Sequence, residues 1–182
     1  MKTALLPLAL LLALSACKKD DPNALPDATQ EGKNTAGVLL DGRAFVPKPS
    51  SISTGSPVNG YWRKTRGGNS LSLSFRQFSR QEDRGVSFFL PHIRRASTFS
   101  LNQVPAITNG LNNAAYGQYH QQRPTPSISY YTGPDAPGQL IITRFDTVAN
   151  IVSGTFEMSP REAGGGATVA ITQGRFDLRF DR

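Results

Sequence analysis

The feature that most constrains this chain is the period of two in its apolar residues. Leu71, Leu73 and Phe75 alternate with Ser72, Ser74 and Arg76, and Val86, Phe88 and Leu90 repeat the pattern up to Pro91. Such alternation puts one face of an extended strand on a core and the other in water. Helical spacing never persists for three turns beyond residue 17. The chain is punctuated by 17 Gly and 13 Pro, which also argues against a mainly helical protein.

The other segments read the same way. Val38 to Val46 forms a hairpin, because Asp41-Gly42 supplies the positive φ values of a two-residue turn. Residues 47–60 are a Ser-, Pro- and Gly-rich loop. Residues 97–101, Tyr116 to Gln121, Ser127 to Tyr131 and Leu140 to Phe145 read as strands, and Val152, Gly154, Phe156 and Met158 share a face of another. Val169 and Ile171 occupy odd positions, but Phe176, Leu178 and Phe180 occupy even ones. A strand cannot change phase without an extra residue, so a β-bulge or kink is expected at Gly174. The result is an all-β chain of about nine or ten short strands, either an antiparallel β-sandwich or a partly closed β-barrel, ending in a three-stranded meander. One stretch, Asn102 to Asn113, is compatible with a helical turn.

The N-terminus reads as an address. Lys2 precedes an apolar run from Ala4 to Ala13, too short to span a bilayer and laid out like a signal peptide. Leu14-Ser15-Ala16-Cys17 resembles the bacterial lipobox, and the chain's single cysteine stands at the lipidated position. Residues 1–16 are then a removed signal, residues 17–36 a lipidated Cys17 with a polar tether, and residues 37–182 one β domain. Several acyl chains would hold such a domain stably. Lys18-Lys19-Asp20-Asp21 resembles the export signal of Bacteroidota surface lipoproteins. An outer-membrane, lipid-anchored, surface-exposed location is expected, with a periplasm-facing one as the alternative.

A wider resemblance extends over residues 25–182. Leu25-Pro26, Ala28-Thr29-Gln30, Gly32, Asn34-Thr35, Gly37 and Asp41-Gly42 are followed near the end by Gln139 to Asp146, Ile151 to Phe156 and Ile171 to Asp177. Together they resemble a Bacteroidota lipoprotein family, the domain of unknown function 6252. The resemblance implies location and fold class, and brings no catalytic residue.

The familiar chemistries find little support. No Gly-x-Ser-x-Gly elbow, His-x-x-x-His, paired Cys-x-x-Cys, phosphate loop or EF-hand spacing occurs. His92 and His120 are the two potential bases of a hydrolase of unfamiliar type. Asp146, Glu157 and Asp177 are carboxylates by location only, with Asp146 and Asp177 read as turn and surface residues. Asn109, Asn112 and Asn113 lack an adjacent acid for calcium. No catalytic residue, metal or cofactor is expected.

Two features suggest binding instead. Residues 61–95 hold eight bases, Arg63, Lys64, Arg66, Arg76, Arg80, Arg84, Arg94 and Arg95, against Glu82 and Asp83. They form either an anion-binding face or a solvated face that keeps an edge strand from aggregating. Tyr61, Trp62, Tyr116, Tyr119, Tyr130 and Tyr131 suit a platform that stacks on sugar rings, and serve equally as sheet-packing residues. The expected role is non-enzymatic binding or envelope structure. The candidate ligand is a glycan or lipopolysaccharide, held by the aromatics with Arg63, Lys64 and Arg66. Nucleic acid does not fit the compartment.

Overall fold

The computed structural model describes residues 24–106, 113–123 and 125–182. Cys17, Lys18 to Asp21, Asn109 and Asn112 therefore lie outside the described residues, as does most of the stretch read as a possible helical turn. The fold is an antiparallel β-sandwich of two six-stranded sheets, not closed into a barrel.

Twelve strands build it: β1 Thr35–Leu40, β2 Arg43–Phe45, β3 Val58–Thr65, β4 Gly68–Phe78, β5 Asp83–Pro91, β6 Thr98–Ser100, β7 Tyr116–Arg123, β8 Ile128–Tyr131, β9 Gly138–Asp146, β10 Ile151–Met158, β11 Arg161–Glu162 and β12 Ile171–Arg179. The first sheet runs β2-β1-β12-β10-β9-β6 and the second β11-β8-β7-β5-β4-β3. The count exceeds the sequence expectation partly because β11 has only two residues, too few for any alternation to register. The C-terminal meander is β9-β10-β12. It is interrupted by β11, which steps across to pair with β8 in the second sheet.

The core lies between the sheets. Leu71, Leu73, Phe75, Val86, Phe88 and Leu90 of the second sheet are buried against Leu140, Ile142, Val152, Phe156, Ile171, Phe176 and Leu178 of the first. Phe75 is central, with ring centroids 6.2 Å from Phe88, 5.9 Å from Phe156 and 5.5 Å from Phe176. Asp41 and Gly42 take φ of +47° and +78°, as the β1–β2 hairpin requires.

The phase change in β12 is a bulge. Three residues of β12 oppose two in β1, and again two in β10, between Ile171 and Arg175. Gln173 supplies the positive φ, +54°. Gly174 lets the Phe156 ring close on the backbone, since a Cβ there would lie 2.5 Å from it.

Order begins before Gly37, where the sequence placed the start of the domain. Leu25 and Pro26 press on Gly37. Residues 29–33 then close around the Asp177 carboxylate. Thr29 Oγ1 donates to it at 2.6 Å, and the N–H groups of Glu31, Gly32 and Lys33 at 2.9, 2.8 and 3.2 Å. This strap lies on the outer side of the first sheet, since Asp177 alternates with the core residues Phe176 and Leu178.

Candidate functional site

The outer side of the second sheet is a surface of the opposite kind. Its residues alternate with the buried apolar set of β4 and β5, so their side chains leave the core. Cross-strand pairing orders them in rows. Tyr61, Ser72, Phe89 and Tyr116 form one row, from β3 to β7. Asn59, Ser74, Ser87, Gln118, Tyr131 and Arg161 form the next, from β3 to β11. Arg63, Ser70 and Pro91 form the row on the other side. Adjacent strands lie about 4.8 Å apart, so Tyr61 and Tyr116 are separated by about 14 Å.

Three of the rings in these rows touch, and Tyr61 stands apart from them across Ser72. Phe89 stacks on Tyr116 with centroids 5.9 Å apart and an interplanar angle of 27°, and Tyr131 lies 6.4 Å from Tyr116. Tyr61 is 51% exposed at the β3 edge. Gln118 Nε2 donates to the Tyr131 hydroxyl at 3.1 Å, and the Ser87 hydroxyl donates to Gln118 Oε1 at 3.3 Å. These bonds fix the amide between the rings. Burial, and then the neighbouring Tyr131, push the Tyr116 hydroxyl above its ordinary pKa. The combination is an apolar strip of rings bordered by hydroxyls and an amide.

The structure divides the aromatics named from the sequence. Tyr61, Tyr116 and Tyr131 share the outer face. Trp62 points inward, meeting Phe145 edge-on at 6.2 Å and lying 6.2 Å from Phe180, with the Arg182 guanidinium 5.4 Å from its ring centre. Tyr119 and Tyr130 also face inward, 5.5 Å apart, with Tyr119 in the core. Phe89 belongs to the outer strip, though it was not named as a site residue. Its odd position beside Phe88 in β5 was the available signal.

The basic segment divides too. Arg76 holds Asp83 through two bonds of 2.7 and 2.8 Å, and Arg84 pairs with Glu82 while lying 5.0 Å from the Phe45 ring centre. Arg63, Lys64, Arg66, Arg94 and Arg95 are exposed. They gather at one end of the sheet. The β3–β4 turn holds Arg66, and Asn69 just after it bonds to His92 and Ile93, immediately before Arg94.

The histidines form no catalytic arrangement. His92 is exposed in a turn at φ +57°. His120 lies over Gly85, where a Cβ would sit 2.8 Å from its Cε1. Burial lowers the His120 pKa, Arg76 lowers it further and Asp83 opposes both. Among the described residues, no side-chain hydrogen bond joins either histidine to a serine or a carboxylate, and no group of three potential metal ligands occurs. Asn113 is buried and its Oδ1 accepts from the Ala106 N–H at 2.7 Å, closing a loop.

Two carboxylates read as exposed turn or surface groups part company. Asp146 does shape a turn, accepting from the N–H groups of Val148 and Ala149 at 2.9 Å each. Asp177 is not a surface residue but 1% exposed. Alternation placed it outside the core correctly, but the strap covers that side. No family model, curated protein or solved structure matches the chain.

Proposed function

We propose that this protein is a non-enzymatic glycan-binding β-sandwich held at the outer membrane by a lipid on Cys17. The single observation behind the binding role is the Tyr61-Ser72-Phe89-Tyr116 row, an aromatic strip on a sheet face edged by hydrogen-bonding groups. Stacked rings offer sugar C–H faces an apolar surface, while Gln118, Ser72, Ser87 and the tyrosine hydroxyls meet sugar hydroxyls. Rings and an amide already held by neighbours lose little conformational freedom on binding. The lipobox-like Leu14 to Cys17 and the family resemblance support the location.

The test is a binding screen of the full chain against soluble plant and bacterial polysaccharides, repeated with Tyr116→Ala. At least one polysaccharide should bind, and Tyr116→Ala should weaken it at least tenfold while the fold persists by circular dichroism. A screen without any binder, or a variant that binds as tightly as the parent, refutes the assignment. For the anchor, Cys17→Ala should move the protein from the membrane to the soluble fraction.

A further inference from the structure

The fold places the aromatic strip and part of the basic segment side by side. Arg63 follows Tyr61 by two positions on β3, so both side chains leave the same face of the sheet. The row Arg63-Ser70-Pro91 borders the row Tyr61-Ser72-Phe89-Tyr116 about 7 Å away along the strands. Beyond it lie Arg66 at the β3–β4 turn, and Arg94 and Arg95 after β5, while Lys64, next to Arg63 on β3, leaves the opposite face. None of these five is ion-paired among the described residues.

One acid adjoins the strip: Asp181 is exposed and its backbone bridges Tyr61 at the β3 edge, so Arg63, Arg66, Arg94 and Arg95 face a single carboxylate there. From β3 through β8 the only acidic residue within a strand is Asp83, and Arg76 already holds it. No acid at all occurs between Asp83 and Asp135. An aromatic strip with a net cationic border at one end would bind a neutral chain by stacking alone. It would bind an acidic chain by stacking plus charge-assisted hydrogen bonds, with arginine forks well matched to carboxylates.

Resting on the glycan-binding reading, we infer that the ligand is an anionic polysaccharide, its sugar faces on Tyr61, Phe89 and Tyr116 and its carboxylate groups toward Arg63 and Arg66. Arg63 and Arg66 are then specificity residues, and Tyr116 an affinity residue.

The experiment compares polygalacturonate with its fully methyl-esterified form, which keeps the ring faces and removes the charge. The proteins are the full chain, Arg63→Ala/Arg66→Ala and Tyr116→Ala. The parent should bind polygalacturonate at least tenfold more tightly than the ester, and that preference should shrink as salt rises from 0.05 to 0.5 M, a range that shortens electrostatic reach to about 4 Å. The double variant should lose the preference while retaining its binding of the ester. Tyr116→Ala should weaken both polymers. Equal binding of the two polymers by the parent, or an unchanged preference in the double variant, overturns the inference and leaves the glycan-binding reading intact. Binding of both polymers that is indifferent to Tyr116→Ala overturns the glycan-binding reading itself.

Discussion

Ser153 and Asp177 stand opposite each other on β10 and β12, and the Ser153 hydroxyl donates to Asp177 Oδ1 at 2.7 Å. That bond points the carboxylate toward the strap, where four further donors from residues 29–33 meet it. A buried carboxylate without partners would be costly, but five donors make this one an attachment point. Residues 29–33, just ahead of β1, are thereby fixed to the first sheet. The aromatic strip lies on the far side of the other sheet.

Asp177→Asn should therefore lower stability by about 3 kcal/mol, because the amide keeps the volume but loses the charge and turns an acceptor into a donor. Burial raises the Asp177 pKa, but the bonds from Thr29, Glu31, Ser153 and Gly32 outweigh it and bring the carboxyl down to about 2. A depressed folded pKa stabilises the fold above the unfolded value of 3.8 and loses that contribution as pH falls toward 2. The loss amounts to about 2 kcal/mol. Urea unfolding of parent and variant at pH 7, 4 and 2.5 checks this. The gap between them should narrow only below pH 4, and a constant gap would show that the carboxylate's charge is not the source.

Gly174→Ala should also destabilise, by about 2 kcal/mol, because the added methyl meets the Phe156 ring at 2.5 Å and that ring is packed between Phe75, Phe88 and Phe176. A smaller ring-position residue should relieve the clash, so Gly174→Ala combined with Phe156→Leu should lose less than the two single changes summed. Additive losses in thermal unfolding would show that the two residues do not oppose each other.

Much of this architecture was legible in the alternation of Leu71 to Phe75 and Val86 to Leu90, because burial on one face leaves a period of two in the sequence. The bulge near Gly174 was legible for the same reason, as a break in that period. The strap was not. Its cohesion comes from hydrogen bonds between Asp177 and backbone N–H groups 144 to 146 residues away, and a backbone donor has no signature in residue type. The site was half legible. Residue type identified tyrosines and arginines, but Tyr61 and Trp62 are adjacent, and only the strand's phase decides which of two neighbours faces out.

The Arg76–Asp83 pair offers a third check. Asp83 is buried, and both its oxygens accept from Arg76. Arg76→Leu leaves a buried carboxylate short of those bonds, while the partly exposed Arg76 side chain limits the effect, so a loss of about 2 kcal/mol is expected. The double variant Arg76→Leu/Asp83→Leu should recover most of that loss, because no buried charge remains. A double variant less stable than Arg76→Leu alone in denaturant unfolding would mean that Asp83 has a greater structural role elsewhere.

The opposed faces of β3 give the most discriminating comparison, because Tyr61 and Trp62 are adjacent and both aromatic. Trp62 packs against Phe145 and Phe180 at the margin of the core, whereas Tyr61 is half exposed beside Ser72. Trp62→Leu should cost about 2 kcal/mol of stability through lost ring contacts and buried area. Its polysaccharide affinity, measured well below the transition, should stay within about twofold, since the outer rows are untouched. Tyr61→Ala should do the reverse. An exposed edge residue contributes about 0.5 kcal/mol or less to folding, yet its removal takes one ring from the strip and should weaken binding about tenfold, the equivalent of about 1.4 kcal/mol. Thermal unfolding and equilibrium titration of the two variants separate these effects. If both changes shift stability and neither shifts affinity, the outer face of β3 is not part of a binding surface, and the strip has to be reassigned as sheet packing.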